Sequence, residues 1–129
     1  MKSIALIALA LVLAACGTND DRPRTLADVT EMILAPNCGV AECHSSLRRQ
    51  SGYIFDSVEG AQDSIKNGNL IETCAAPPCT GAPGGSYLLT VITNGDRFGN
   101  RMPLDEPLPN LDAVMIADWI TDGAPGYQP

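Results

Sequence analysis

The chain has 129 residues, a net charge of −7 at neutral pH and 45% hydrophobic residues, of which few are aromatic. This length suits one domain. The acidic balance argues against nucleic-acid binding, which needs a basic surface. The composition therefore predicts a single acidic domain whose partners are not nucleic acids.

The N-terminus has the pattern of a bacterial export signal. Lys2 precedes an apolar run over residues 4–15, which is shorter than the ~20 residues of a membrane-spanning helix. The letters LAAC ending at Cys16 resemble the lipobox of bacterial lipoproteins. The resemblance implies that residues 1–15 are cleaved and that Cys16 carries lipid, and Gly17 favours the outer membrane. We expect a lipid-anchored protein of the cell envelope that faces the periplasm. An ordinary signal peptide with a chance cysteine is the alternative.

The next segments predict a tether and a first helix. Residues 16–24 are polar and contain a proline, so we expect a flexible tether before a domain over residues 25–129. In TLADVTEMILAPN, Thr25 is the expected N-cap and Asp28 completes a capping box. Apolar residues recur at helical spacing, and Pro36 is expected to stop the helix.

Three further helices are predicted, and the segments between them are expected to be loops. The helices start at caps Ser57, Ser86 and Asn110, and a glycine ends each. The segments CAAPPCTGAPGG and GDRFGNRMPLDEPLPN have loop composition. We expect a small all-α domain of about four short helices with long loops. The expected apolar face of the last helix consists of Leu111, Val114, Met115, Trp119 and Ile120.

The long loops suggest that something other than protein fills part of the core. Loops beyond ~12–15 residues in a compact domain usually indicate function. A large apolar cofactor would give the short helices a surface to pack on.

Beyond Cys16, the cysteines form two C-x4-C pairs. Cys38 and Cys43 are followed by His44, the only histidine in the chain, whereas Cys74 and Cys79 are not followed by histidine. Because export exposes thiols to oxidation, we expect a disulfide between Cys74 and Cys79. A regulatory thiol pair is the alternative.

The segment CGVAECH brings together the groups that haem attachment requires. Two cysteines can form thioether bonds with haem, and the histidine that follows them can bind the iron. The usual spacing is C-x-x-C-H, so the two extra residues here must bulge outward, and Gly39 would ease such a bulge. A zinc site is one alternative. Export argues against it, because oxidation of the thiols competes with zinc binding. A disulfide-stapled binding lipoprotein without haem is another. The zinc set would comprise Cys38, Cys43, Cys74 and Cys79, or three of them with His44.

Four features in order make the chain, from about residue 25 to 127, resemble a single-haem cytochrome c domain. They are the helix leading into C-x4-C-H, then GGSYLLTVI, NRMPL and IADWITDGA. The resemblance implies a cytochrome c-like fold packed around one covalent haem c. It also implies an electron carrier, not an enzyme, that exchanges single electrons with redox partner proteins in the cell envelope. A haem peroxidase or sensor is the remaining alternative.

The resemblance also implies roles for individual residues. Cys38 and Cys43 would be the covalent anchors and His44 the proximal iron ligand. Met102, in the loop before Pro103, would be the second axial ligand, and its thioether would raise the reduction potential. The alternatives are Met32 and Met115, for which core packing is the better explanation, a water, or no sixth ligand. Arg97 and Arg101 are candidate partners of the haem propionates. The candidate pocket walls are Tyr87, Leu88, Leu104, Leu108 and Trp119.

Overall fold

The computed structural model describes residues 20–96 and 98–129. The predicted signal over residues 1–15, the predicted lipid attachment at Cys16 and the side chain of Arg97 lie outside this part. Within the described ranges the chain contains helices, turns and loops but no β-strand, which confirms the all-α prediction. No helix in the same ranges is long and apolar enough to cross a bilayer.

Helix α1 has three consecutive parts: α-helical Leu26–Val29, π-helical Thr30–Leu34 and α-helical Ala35–Asn37. The predicted capping box is present: Thr25 Oγ1 accepts from the Asp28 amide at 3.2 Å, and Asp28 accepts from the Thr25 amide at 2.9 Å. The helix continues one residue beyond Pro36, where we had expected it to stop. Pro36 stands in the first turn of the last α-helical part, where the amide donor that proline lacks is not required.

A short 3-10 helix over Gln50–Gly52 follows, and then four more α-helices: α2 over Val58–Gly68, α3 over Ala82–Gly85, α4 over Tyr87–Thr93 and α5 over Asn110–Thr121. Ser57 caps α2 as predicted, accepting from the Gly60 amide at 3.1 Å. The short helix α3 lies inside a segment that we had predicted to be loop.

The other two caps differ from the prediction. Ser86 stands at the cap position of α4 without capping it, because its hydroxyl instead accepts from the Glu72 amide at 2.9 Å. Asn110 is the first residue of α5 rather than its cap, which is Pro109. Tertiary contacts therefore decide how α4 begins.

The core lies where α5 packs against α1 and α4 and where α2 packs against α1. Helix α5 buries Met115, Ile116, Trp119 and Ile120. The Trp119 indole donates to the Pro125 carbonyl at 3.1 Å, and the Leu26 amide donates to the same oxygen at 2.8 Å, so the C-terminal segment joins α1 to α5.

The predicted apolar face of α5 is partly wrong. Leu111 and Val114 are exposed, at 53% and 48% of their surface, and Ile116 takes the place we had given them in the core. A helix buries only a stripe of its surface. The stripe of α5 is centred on Met115 and Trp119.

Two peripheral segments are fastened to α5. The predicted disulfide between Cys74 and Cys79 is present, and the Cys79 amide donates to the Thr121 carbonyl at 2.7 Å. Residues 20–24, which belong to the predicted tether, also contact this helix. Arg22 pairs with Asp112 at 2.7 Å, while Arg24 pairs with Asp118 and Asp122 at 3.1 and 3.2 Å.

Candidate functional site

An open cavity of about 370 Å³ is lined by all four residues that we had predicted to hold haem. Cys38, Cys43 and His44 come from the segment after α1, whereas Met102 comes from the loop between α4 and α5. The volume of this cavity lies near the lower end of the range of small-molecule sites, roughly 300–1,000 Å³. The fold therefore brings together residues from two distant segments.

A second, smaller cavity of about 130 Å³, which we call the inner cavity, shares Cys38, His44, Ser51 and Met102 with the first, the outer cavity. We refer to the two cavities together as the cleft. The inner cavity is bounded mainly by apolar side chains. They include Phe55, Leu70, Leu88, Val91 and Ile92. An apolar molecule with a few polar groups suits such walls.

Backbone hydrogen bonds shape the cysteine segment. The Cys43 amide donates to Val40 at 2.9 Å, and the His44 amide donates to the Cys38 carbonyl at 3.0 Å. The chain between the cysteines is thus folded into a turn, with room for the four intervening residues. The Phe55 amide donates to the His44 carbonyl at 2.7 Å, which fastens the turn to the chain before α2.

Gly39 is required for a reason other than the one we had expected. A Cβ atom at this position would lie 2.7 Å from both the Phe55 carbonyl carbon and the Asp56 nitrogen. These are backbone atoms, which cannot rotate away as a side chain can. The glycine therefore allows close approach of two chain segments, and no positive φ angle is involved.

The His44 ring is held by a hydrogen bond and by two aromatic rings. Nδ1 lies 2.8 Å from the Gln50 carbonyl oxygen. Because a carbonyl can only accept, Nδ1 carries the proton, and Nε2 of the neutral ring keeps the lone pair that binds a metal. The ring centroids of Tyr53 and Phe55 lie 5.9 and 5.5 Å from that of His44.

The Gln50 carbonyl is presented by an unusual turn. Arg49 and Ser51, on either side of it, have φ angles of 50° and 56°, and Gly52 has 83°. Left-handed backbone is unfavourable for residues with a side chain and tends to occur at functional sites. We had not identified Gln50, Tyr53 or Phe55 from the sequence. The closeness of Ser51-Gly52 to His44 was the only available signal.

The two thiols of the cleft differ in burial. Cys38 is buried and Cys43 is half-buried, and both are free. Burial, with a smaller contribution from Cys43, raises the pKa of Cys38 to about 12, so its thiol stays protonated at neutral pH. Because Cys74 and Cys79 bond to each other, they cannot complete the four-cysteine zinc set.

Met102 is half-buried and borders both parts of the cleft. Its amide donates to the Val91 carbonyl at 2.9 Å, which attaches the loop to α4. A tight turn precedes it, in which Asp96 Oδ1 accepts from the amides of Phe98 and Asn100 at 2.8 and 2.9 Å. The backbone position of Met102 is thus set by its bond to α4 and by the turn that the Asp96 carboxylate holds.

Some of the other residues that we had predicted for the pocket line the cleft, and the rest lie elsewhere. Tyr87 and Leu88 line the inner cavity and Leu104 the outer one. Trp119 and Leu108 are buried in the core and are absent from the described lining of the cleft. Arg101 is exposed and is likewise absent from that lining. In the part of the chain that the structure describes, no three His, Cys, Asp or Glu side chains are grouped as metal ligands.

Neither a known protein family, nor a curated protein, nor a solved structure matches the chain.

Proposed function

We propose that the protein is a c-type cytochrome of the cell envelope, anchored by lipid at Cys16, that binds one covalent haem c and passes single electrons between redox partner proteins. One observation carries the proposal: Cys38, Cys43, His44 and Met102 line the same cavity although they come from two separate segments. If the protein were a disulfide-stapled module with an incidental histidine, nothing would require Met102 to line the same cavity as His44.

The donor set suits a haem better than a single metal ion. Two thiols and an imidazole line the cleft together, yet no group of three ligating side chains converges on one point among the described residues. A haem would use the two thiols for covalent attachment and the imidazole as an iron ligand, so these three groups would not need to meet at one point. The apolar walls around Leu88, Val91 and Ile92 provide the dry surface that such a ring requires.

His44, Cys38 and Cys43 would hold the group, and Met102 would complete its iron coordination. A haem bound there supplies an iron that alternates between two oxidation states. The Gln50 carbonyl accepts a hydrogen bond from Nδ1–H of His44. This bond orients the imidazole and makes Nε2 a stronger electron-pair donor to a metal. The thioether of Met102 favours a higher reduction potential. If Met102 stayed unbound, a free coordination position would instead favour a peroxidase or a sensor.

Haem staining on a denaturing gel tests the proposal, with the protein produced alongside haem-attachment machinery. The wild-type band should stain, and the Cys38→Ser, Cys43→Ser double variant should not. The Cys74→Ser, Cys79→Ser double variant is the matched control and should still stain, since the described lining of the cleft does not include these residues. A folded wild-type protein that gives an unstained band would favour the disulfide-stapled binding lipoprotein.

A further inference from the structure

The outer surface of α5 carries two large apolar side chains that solvent reaches. Leu111 and Val114 are three residues apart and therefore lie on one side of the helix. The same side continues to Asp118, four residues beyond Val114. Two neighbouring apolar side chains that are exposed on one side of a helix can gain free energy by leaving water for the boundary of a lipid bilayer.

The N-terminal segment runs beside this same surface. Arg22 bonds to the Leu111 carbonyl at 3.3 Å and to Asp112 at 2.7 Å, at the first turn of α5. Arg24 bonds to Asp118 near the other end. The chain therefore enters the described structure beside the start of α5, close to Leu111.

The distance to the predicted lipid is short. Cys16 is four residues before Asp20, and an extended chain spans at most about 3.6 Å per residue, so the two residues are separated by no more than about 14 Å. Asp20 is itself bonded to Arg22 at 2.6 Å. A lipid on Cys16 would thus keep the start of α5 close to the membrane.

We propose that the outer face of α5, with Leu111 and Val114, rests on the bilayer that holds the anchor. This inference depends on the proposed lipid at Cys16 and is independent of haem. None of the α5 residues belongs to the described lining of the cleft, so the contact leaves the cleft open to protein partners.

The charges of this face suit a zwitterionic bilayer. Asp112 is paired with Arg22, and Asp118 and Asp122 are paired with Arg24. Pairing reduces the charge that the face presents. Acidic residues still outnumber the arginines, so an anionic surface would repel it. We therefore choose phosphatidylcholine vesicles as the probe.

Hydroxyl-radical footprinting with mass spectrometry tests the contact in the unmodified sequence. The lipidated protein on phosphatidylcholine vesicles is compared with the soluble Cys16→Ser variant. We expect severalfold lower oxidation of Leu111 and Val114 on vesicles. Leu47 and Phe98, exposed at 90% and 73% of their surface, are internal controls and should be oxidised equally in both samples.

The possible failures are distinguishable. If the wild-type protein lacks lipid and does not bind vesicles, the anchor and this inference both fail, and the haem stain remains a separate test. If the lipidated protein binds vesicles while Leu111 and Val114 are oxidised as in solution, the orientation alone is wrong. Equal protection of Leu47 and Phe98 would also overturn it, because the contact would then not be specific to α5.

Discussion

Replacing Gly39 by alanine should destabilise the protein because two chain segments approach too closely to admit a Cβ atom. The added carbon would lie 2.7–2.8 Å from three backbone atoms of Phe55 and Asp56. These atoms belong to the segment that also binds the His44 backbone. Overpacking of this kind costs typically about 1–3 kcal/mol. Relief would require moving the cysteine turn away from the chain before α2.

Urea unfolding measures the effect. With a denaturant slope of about 2 kcal/mol/M for a domain of this size, the midpoint should fall by roughly 0.5–1.5 M. Gly84→Ala is the matched control, since nothing lies within 4 Å of the position that an added Cβ would occupy and the residue is helical. That substitution should be neutral or stabilise by up to about 1 kcal/mol. A Gly39→Ala midpoint equal to that of the wild type would refute the close approach and the geometry of the cleft built on it.

Three further substitutions test other parts of the account. Thr25→Ala removes the capping box of α1 and should lower the free energy of unfolding, measured in urea, by about 1 kcal/mol. The control Thr93→Ala, at the exposed end of α4, should change this free energy by less than about 0.5 kcal/mol. Equal effects of the two substitutions would contradict the cap. The Ser46 amide, 2.6 Å from Asp56 Oδ2, lowers the pKa of that carboxyl. The hydrogen bond to ionised Asp56 therefore contributes fully to stability above the ordinary carboxyl pKa of 3.8. This contribution is lost as the pH falls through the lower pKa that Asp56 has in the folded protein. Asp56→Asn should weaken this loss of stability in acid, measured as urea midpoints above and below the ordinary pKa, and an unchanged acid dependence would exclude the bond. Met102→Ala should change the ligand-field and charge-transfer bands of the haem-loaded protein and lower its reduction potential, while Met32→Ala, in α1, should leave both unaltered. Identical spectra of the Met102 variant and the wild type would remove Met102 from the site.

Local signals in the sequence predicted the local features of the fold. The Thr25 and Asp28 pair, the Ser57 cap and the small loop closed by Cys74 and Cys79 each depend on residues a few positions apart, and the structure contains all three. The all-α class follows from the same kind of signal, because helical spacing of apolar residues is visible without knowing what they pack against.

Features set by distant contacts could not be predicted in this way. Ser86 binds Glu72 instead of capping α4, and this depends on how a separate loop is folded. Which side of α5 is buried depends on its neighbours, so Leu111 and Val114 were misassigned. Pro36 was expected to stop α1 because proline breaks helices, and the π-helical turn that precedes it has no recognised sequence pattern.

The residues of the candidate site also differ in whether the sequence alone could predict them. Cys38, Cys43, His44 and Met102 could be selected from the sequence because their chemistry is distinctive. The role of the Gln50 carbonyl could not, since any residue supplies a carbonyl and only the backbone angles of Arg49 and Ser51 direct this one at His44. Gly39 was noticed, but the approach of Phe55 and Asp56 that requires it was not.

The intact mass of the denatured wild-type protein, made with haem-attachment machinery present, tests the central claim most directly. The account predicts a mass increased by one haem, with no thiol of Cys38 or Cys43 left for alkylation. A chain without added haem, in which alkylation and peptide mapping find these two sulfurs bonded to each other, would contradict it.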